Sequence, residues 1–336
     1  MPVRLKDIAI ELGVSVVTVS KVLRNHSDIS TDTRNRILER MRQLNYRPNL
    51  AARALVTGRT NMIGFVVPDL LHPFFAEVAK GLTKVLRKKG YCLVIASSEE
   101  DASLEKQEIE QLLARRVDAL IVASAQNDSS SFVLAEEHKI PFVLIDRFFE
   151  GYSTDFIGVD DEKAGYLATR HLIEQGCKRI AHIRGPKFSA AHGREAGYRK
   201  AIKEAGQTGI IVSTASMDDQ ADARGYDAMN ELLAMKPRPD GVFCFNDPNA
   251  IGALSAIHDA GLKVPKDIAV IGVGNLHYDS LLRVPLSSVD QDSSALGEEA
   301  AKLALKLIEN KTKSRPKKIL LEPKLVPRAS SLRSRQ

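Results

Sequence analysis

The stretch LKDIAIELGVSVVTVSKVL, residues 5–23, decides the fold of the first part of this chain. Its apolar residues recur at the three- and four-residue spacing of two short helices, and Gly13 lies where a helix can end at positive φ. Ser15 follows in the position of a helix cap, and Ala9 is small enough to let two helices approach. The pattern predicts a helix-turn-helix, although an ordinary helical hairpin would satisfy the same spacing.

The second predicted helix has short polar and β-branched side chains on its outer face. Hydroxyl and amide groups suit contacts with DNA phosphates, and Lys21 is long enough to reach the acceptor atoms of guanine in a major groove. Val16 and Val17 offer only van der Waals contact, which suits a thymine methyl group. The DNA-contacting residues predicted in this region are Ser15, Val16, Val17, Thr18, Ser20, Lys21 and Asn25.

The first 60 residues differ from the rest of the chain in net charge. They contain eleven Lys or Arg and five Asp or Glu, a net charge of +6, which equals the net charge of all 336 residues. Residues 61–310 carry a net charge of −8, and the tail from Lys311 carries +8. A basic module on an acidic body is typical of a protein that binds the DNA backbone. Solvation of a chain end explains the basic tail.

Two further segments complete the N-terminal part. Ser30 or Thr31 is placed to cap a third helix, because apolar residues at helical spacing follow it. Beyond that helix, Pro48 and Gly58 mark the start and the end of a short fourth helix. Such a short helix is marginal alone in water, because few hydrogen bonds offset the cost of nucleation. We therefore expect it to need a partner.

These segments resemble the DNA-binding headpiece of the LacI/GalR family of bacterial transcription regulators. The resemblance is carried by KDIA (6–9), GVS (13–15), TVSKVL (18–23), YRPN (46–49) and LVTGRT (55–60). It implies a three-helix DNA-binding domain over residues 1–47, then a hinge helix and linker over 48–60. The hinge helix is expected to order on operator DNA and to pair with its dimer mate in the minor groove. Its implied DNA-contacting residues are Asn49, Arg53 and Leu55.

Leu55 falls where the family has a leucine lever. An apolar side chain wedged into a base step unstacks the bases and bends the duplex, at a cost of a few kcal/mol that additional contacts offset. The alternative is that Leu55 packs on the body of the protein.

The rest of the chain alternates short apolar runs with amphipathic stretches, which is typical of a parallel sheet covered by helices. Helices are predicted, for example, over residues 75–89 and 164–175. Strands are predicted over residues 62–67, 92–96, 119–123, 142–145, 156–159, 180–183, 242–245 and 268–273. The length of this part favours two subdomains.

The resemblance extends more loosely to this body. It implies an α/β, doubly wound effector domain of the periplasmic-binding-protein-like type (type I) over residues 61–336, which also forms a homodimer. The first subdomain is expected at about residues 61–160 and 289–320. The second is expected at about residues 161–288 together with the C-terminal segment.

Ligands of open parallel sheets bind beyond the carboxyl ends of the strands. Clustered carboxylates and guanidinium groups at those ends suit a hydroxyl-rich, carbohydrate-like effector. Arg194, in the run GREAGY (193–198), matches the ligand arginine of the family. The candidate effector-binding residues are Phe74, Phe75, Asp146, Asp160, Arg194, Asn246, Asp247 and Asn275.

Some residues near this site have a purely structural interpretation as well. Asp161 and Asp247 precede predicted helices, so capping alone can explain them. Phe74 or Phe75 can equally belong to the hydrophobic core. These interpretations stay open at the level of the sequence.

The sequence departs from the family at two positions of the expected effector site. Gly274 lies where an effector-binding carboxylate is usual, and Gln220 lies where sugar- and purine-binding members often have an aromatic ring. Both departures weaken the case for a simple sugar effector.

Motifs of enzymes and of exported or membrane proteins are absent from the sequence. It has no Gly-x-Ser-x-Gly, P-loop or His-Glu-x-x-His motif and no ligand spacing among its eight His, so no catalytic site, metal or cofactor is predicted. It shows no apolar signal segment and no membrane-spanning run, and its three Cys are scattered, as in a cytoplasmic protein.

The sequence therefore predicts a cytoplasmic repressor that binds a pseudo-palindromic operator as a dimer. A small-molecule effector, a sugar or sugar derivative, is expected to bind between the subdomains and to shift their relative angle, and with it the hinge helices. Three alternatives remain open: a regulator controlled by a partner protein, one controlled by a non-sugar effector, and an effector-independent DNA binder.

Overall fold

The computed structural model describes residues 3–23, 26–46, 54, 57–126, 129–213, 221–309 and 315–333. The chain divides into two compact units, Met1–Thr60 and Asn61–Gln336. Most of the predicted hinge helix lies outside the described residues, as do Asn25, Asn49, Arg53, Leu55 and Gln220.

The first unit, called the headpiece below, contains three described helices. These are α1 (Leu5–Leu12), α2 (Val16–Leu23) and α3 (Thr31–Gln43). Gly13 ends α1 at φ 66°, in the left-handed region that glycine adopts at least cost. Ile8, Val19 and Ile37, one from each helix, are fully buried against one another. The predicted helix-turn-helix is confirmed.

The described residues of the second unit form two six-stranded sheets. The strands of the first are β1 (Met62–Val67), β2 (Cys92–Ser97), β3 (Ala119–Val122), β4 (Phe142–Ile145), β5 (Phe156–Val159) and β11 (Lys318–Leu321). They are all parallel, in the order β11-β5-β4-β3-β1-β2. The helices of this first subdomain are α4 (Pro73–Lys88), α5 (Ala102–Ala114), α6 (Val133–Glu137) and α11 (Ser293–Glu309).

The second sheet is built from β6 (Ile180–Arg184), β7 (Ile210–Ser213), β8 (Gly241–Cys244), β9 (Ala269–Gly274), β10 (Ser287–Asp290) and β12 (Lys324–Val326). Its order is β12-β10-β9-β8-β6-β7, and only β12 is antiparallel to its neighbour. The helices of this second subdomain are α7 (Asp161–Glu174), α8 (Ser189–Glu204), α9 (Ala221–Ala234) and α10 (Asp247–Asp259). Within the described ranges, no helix is long and apolar enough to cross a membrane.

The chain passes between the two sheets three times, after β5, β10 and β11. Strand β10 continues through Val289 and Asp290, so the second crossing begins two residues later than the expected boundary at 289. Four strands lacked a candidate in the sequence: β7, β10, β11 and β12. Three of these are edge strands with partial exposure, which interrupts the apolar run that marks a buried parallel strand.

Helices α7 and α8 pack closely against each other, and this contact positions Arg194. A Cβ atom at Gly165 would lie 2.1 Å from the backbone oxygen of Arg194, and one at Gly197 would lie 1.9 Å from that of Glu162. Only glycine allows this approach. The contact brings the first turn of α7 against the side chain of Arg194.

Candidate functional site

Helix α2 carries most of the predicted DNA-contacting residues on its outer surface. Ser15 caps the helix, because its Oγ accepts a hydrogen bond from the Thr18 N–H at 3.0 Å and lies 2.8 Å from Thr18 Oγ1. Val16 and Val17 are 43% and 61% exposed. Two apolar side chains therefore stand on the surface beside the capped end of α2.

Lys21 is already paired within the headpiece. Its Nζ lies 2.5 Å from Oδ2 of Asp28, and this bond lowers the pKa of the Asp28 carboxyl. Any base or phosphate that contacts Lys21 therefore competes with Asp28 for the ammonium group.

A cleft lies between the two sheets of the second unit and is lined by both subdomains. Its lining includes His72, Asp146 and Arg147 from the first subdomain and Phe188, Arg194 and Asn246 from the second. Its free volume is about 80 Å³. Ligand pockets usually measure roughly 300–1,000 Å³, so this cleft is closed.

Arg194 is the most deeply buried charge in the cleft, with 3% of its surface exposed. Its Nε donates to Asp161 Oδ1 at 2.9 Å, one terminal nitrogen donates to the Phe245 carbonyl at 2.8 Å, and the other donates to Gln291 Oε1 at 2.7 Å. Burial raises the pKa of Asp161 to about 7, although the charge of Arg194 opposes that shift. The guanidinium group is held by three separate parts of the chain.

Arg147 is the arginine that lines the other side of the cleft, in the first subdomain. Its two terminal nitrogens donate to the carboxylate of Glu100 at 2.8 and 2.7 Å, and its guanidinium carbon lies 3.5 Å from the ring centroid of Phe188. The preceding residue, Asp146, adopts φ 63°, which aspartate tolerates better than most residues. Burial raises the pKa of the Asp146 carboxyl, and the neighbouring Arg147 opposes the shift.

Among the residues that the structure describes, three contacts join the two sides of the cleft, and we call them the cross-cleft contacts. Arg147 stacks on Phe188, the Phe148 N–H donates to Ser189 Oγ at 3.0 Å, and Nε2 of His72 lies 3.1 Å from Nδ2 of Asn246. Burial, reinforced by nearby arginines, lowers the pKa of His72 to about 4. The imidazole is therefore neutral at physiological pH.

Among the predicted effector residues, Phe74, Phe75, Asp146, Arg194 and Asn246 lie together in the cleft wall. The two phenylalanines are also part of the core of the first subdomain, so both interpretations of them hold in the structure.

The other three predicted effector residues have different surroundings. Asp160 caps α7 by accepting from the Lys163 N–H at 2.9 Å, and it lines a separate hollow of about 590 Å³. Asn275 Oδ1 accepts from Arg328 at 2.6 Å. Asp247 is fully buried below the cleft floor. The side chains of all three bond to the protein itself, and their assignment as effector ligands stays a prediction.

Asp247 also explains the glycine where the family usually has a carboxylate. A Cβ atom at Gly274 would lie 2.6 Å from Asp247 Oδ2, and Gly274 adopts φ 145°. Asp247 is held there by the Ser288 hydroxyl at 2.7 Å and by the carboxyl of Asp279. Burial raises the pKa of Asp247, although its hydrogen bond with Asp279 opposes that shift. Burial and the charge of Asp247 raise the pKa of Asp279 to about 9.

Sequence reasoning missed His72 and Gln291, and it explained Asp161 only as a helix cap. For Asp161 a signal was present: β5 ends at Val159, so the next residue is the cap, and Asp161 lies one position further into α7. Phe188 follows β6 within the run 184–194, where position after a strand makes it a candidate. His72 and Gln291 left no local signal, because their roles depend on contacts between distant segments.

Comparison with known proteins identifies the family. Residues 4–49 match the model described as bacterial regulatory proteins, lacI family, and residues 60–328 match that of periplasmic binding proteins and the sugar binding domain of the LacI family. The HTH-type transcriptional repressor PurR of Histophilus somni (strain 129Pt) is 35% identical over 332 residues, covering 97% of this chain and 98% of that protein. A ribose operon repressor of Halalkalibacterium halodurans is 32% identical and covers 91% of each.

Solved structures agree with this result. The lac repressor dimer bound to operator and the anti-inducer ONPF has a TM-score of 0.87 at 26% identity, covering 99% of this chain and all of that one. The fold class expected from the sequence is confirmed. Two family models and relatives matched over almost the whole chain lead to one conclusion: this chain belongs to the LacI family of bacterial regulatory proteins.

Proposed function

We propose that this chain is a cytoplasmic transcriptional repressor that binds operator DNA as a homodimer and is controlled by a small-molecule effector between its subdomains. The observation that carries the proposal is the pairing, in one chain, of an exposed and capped α2 with a cleft lined by both subdomains. The names of the relatives, the transcriptional repressor PurR, a ribose operon repressor and the lac repressor, support the same assignment.

At the operator, α2 enters the major groove. Ser15, Thr18 and Ser20 contact phosphates, and Val16 and Val17 contact thymine methyl groups. Lys21, which is paired with Asp28, contacts a guanine or a phosphate as well. By resemblance to the family, Asn25 and the hinge residues Asn49, Arg53 and Leu55 extend this contact surface.

In the cleft, the effector contacts Arg194, Asp146 and Asn246 beside Phe74 and Phe75. A ligand larger than the present free volume has to change the cross-cleft contacts, and this change couples the cleft to the angle between the subdomains. The effector shifts the operator-binding equilibrium only by its difference in affinity for the two arrangements.

Operator selection tests the DNA-binding part. Full-length protein is used to select duplexes from a random pool, and its affinity for the selected duplex is compared with that for a scrambled duplex by fluorescence anisotropy. We expect a pseudo-palindrome with half-sites about one helical turn apart, bound at least about 1,000-fold more tightly than the scrambled duplex. Equal affinity for both duplexes would contradict the proposal.

Effector control is tested on the same selected duplex. Sugars, sugar phosphates, sugar acids and nucleobases are added singly, and the change in operator affinity is measured, with Arg194→Lys as a matched variant that keeps the charge. At least one compound is expected to change the affinity severalfold in the unmodified protein and less in the variant. A blank panel would favour control by a partner protein or no effector at all.

A further inference from the structure

We infer that the N-terminal ends of the strands of the first sheet form a second DNA-binding surface, which contacts the phosphate backbone of the duplex that the headpiece binds. The inference rests on the proposed function, because it takes DNA as the partner of this chain. We call this surface the basic edge. It consists of the residues directly before β2, β3, β4, β5 and β11, which are 88–91, 115–118, 138–141, 152–155 and 315–317.

The first argument is charge. The basic edge contains seven Lys or Arg and two Asp, a net charge of +5. The four residues that follow each of the same five strands contain three Lys or Arg and eight Asp or Glu, a net charge of −5. Because the strands of this sheet are parallel, the two groups lie at its opposite ends. The first subdomain is therefore positive at one end of its sheet and negative at the other.

The two acids of the basic edge bond to the backbone. Asp155 Oδ1 accepts from the Lys317 N–H at 3.0 Å, and Asp118 Oδ2 accepts from the Asn61 N–H at 2.9 Å. Asn61 is the first residue of the second unit and directly precedes β1. The covalent connection to the DNA-binding headpiece therefore reaches the second unit at the basic edge.

Several cations of the basic edge are available to a partner. Lys89, Lys139 and Lys317 are exposed, and none of the three forms an ion pair with an acid in the described part of the chain. Arg115 donates to two neutral acceptors of Gln111, the backbone oxygen at 2.9 Å and Oε1 at 3.2 Å, so its charge is not neutralised either. Long, exposed cationic side chains are the groups that bind DNA phosphates.

The second argument is a difference between the helix ends of the two subdomains. In the second subdomain, α7, α8 and α10 are each followed by an uncharged residue and a glycine at positive φ, at 175–176, 205–206 and 260–261. The matching pairs of the first subdomain, after α4, α5 and α6, are Lys89-Gly90, Arg115-Arg116 and His138-Lys139.

Two of these cations occupy a backbone conformation that favours glycine. Arg116 adopts φ 57° and Lys139 adopts φ 56°, which costs a residue with a Cβ atom more than it costs glycine. Favourable interaction with the helix dipole does not require them, because the three helices of the second subdomain end without a cation at these positions. The first subdomain therefore has cations where the second has glycine, and phosphate binding gives them a role.

The third argument is size. Neighbouring strands lie about 4.8 Å apart, so the six strands of the first sheet span roughly 24 Å. One DNA strand has a phosphate about every 3.4 Å, so this distance corresponds to roughly seven phosphates. The basic edge can therefore contact several phosphates at once, and such contacts add affinity without reading the base sequence.

The salt dependence of operator binding tests the inference. The edge variant combines Lys89→Gln, Lys139→Gln and Lys317→Gln in the full-length protein. It is titrated against the selected operator duplex by fluorescence anisotropy at several KCl concentrations. We expect it to bind at least about 10-fold more weakly than the unmodified protein at about 0.1 M salt. The slope of log K against log [salt] should be smaller in magnitude by about 2–3, because three phosphate contacts are lost.

Three exposed lysines of the second subdomain provide the matched control, which combines Lys178→Gln, Lys203→Gln and Lys266→Gln. This control variant makes the same change in net charge and should keep the affinity and the slope of the unmodified protein. Phosphate contacts carry no sequence information, so the edge variant should lose affinity for the scrambled duplex by a similar factor.

The single variant Lys139→Gly separates DNA binding from folding. Glycine adopts φ 56° at less cost than lysine does, so Tm should not fall. Affinity for the operator duplex should nevertheless fall severalfold, because one phosphate contact is lost. A lower Tm with unchanged affinity would show that Lys139 acts in the fold alone and would contradict the inference.

Equal affinity and equal slope for the edge variant and the control variant would overturn the inference, even if the basic edge then proved to bind RNA or an acidic protein. Failure of the proposed function is seen separately, as equal affinity of the unmodified protein for the selected and the scrambled duplex.

Discussion

The DNA-binding surface and the effector cleft differ in how their polar groups are satisfied. On α2, Ser15 and Thr18 bond to each other three residues apart, at an exposed helix end. In the cleft, Arg194 is buried and holds partners from three separate segments. The polar groups of the DNA-binding surface therefore stay exposed to water. The charged groups of the cleft are already paired with other protein groups in the absence of a ligand.

This difference predicts different consequences for substitutions in the two regions. A group with local, exposed bonds contributes little to global stability, so its loss is seen mainly in DNA affinity. A buried group with several partners leaves each of them unpaired when it is removed, so its loss is seen in the free energy of unfolding.

The largest expected effect is that of Arg194→Met. This change leaves Asp161 and Gln291 without their buried partner, and we expect it to lower the free energy of unfolding by about 3–5 kcal/mol. The measurement is urea unfolding of the full-length protein. Arg199→Met is the matched control on the same helix, because Arg199 is exposed and its partner Glu195 keeps a second ion pair with Arg184, so a loss of only about 0–1 kcal/mol is expected. Equal losses would show that the cleft pairing adds no stability.

The second largest loss of stability is expected from a substitution at Gly274, in the floor of the cleft. Gly274→Ala places a Cβ atom against the carboxylate of Asp247 in a strained backbone conformation, and we expect a loss of about 2–4 kcal/mol. Gly90→Ala is the control, because Gly90 has φ 73° and no atom within 4 Å of the added Cβ. It should lose only about 1 kcal/mol, from strain alone. A similar loss in both variants would contradict a steric role of Asp247.

The two regions also differ in how far the sequence predicted them. Gly13, Ser15 and Ser30 act within a few residues of themselves, so the turn and the helix caps of the headpiece follow from local chemistry. Buried strands such as β1 and β3 are continuous apolar runs, and they were predicted for the same reason.

What the sequence did not predict depends on contacts between distant segments. Strand β10 contains Ser287 and Ser288, polar residues that are buried because Ser330, Ser331 and Asp247 bond to their backbone or hydroxyl groups. The site follows the same rule. Position after a strand identified Asp146 and Asn246, but the partners that define the cleft come from segments far apart along the chain.

A smaller effect is expected from the buried acid pair below the cleft. The pKa of Asp279 is raised in the folded state, so the folded protein binds more protons than the unfolded chain, and stability falls as pH rises from about 4 into the alkaline range. Between pH 5 and pH 8, the free energy of unfolding should fall by about 1–2 kcal/mol less in Asp279→Asn than in the unmodified protein, as measured by urea unfolding.

The control for this pH dependence is Asp259→Asn, an exposed position at the end of α10. It should retain the slope of the unmodified protein. An Asp279→Asn variant with an unchanged slope would show that the pair does not hold its proton in the folded state.

The smallest effect on stability belongs to the headpiece, which offers a matched pair of caps. Ser15 and Ser30 each accept from the backbone N–H of the threonine three residues later, at 3.0 and 3.3 Å, and each also bonds to its hydroxyl. Replacing either by Ala should lower headpiece stability by about 1 kcal/mol. Only Ser15→Ala should weaken operator binding further, by roughly 10-fold, because Ser15 begins the helix that enters the groove. Operator affinity is measured by anisotropy titration of both variants. Equal losses of affinity would show that Ser15 acts only as a helix cap.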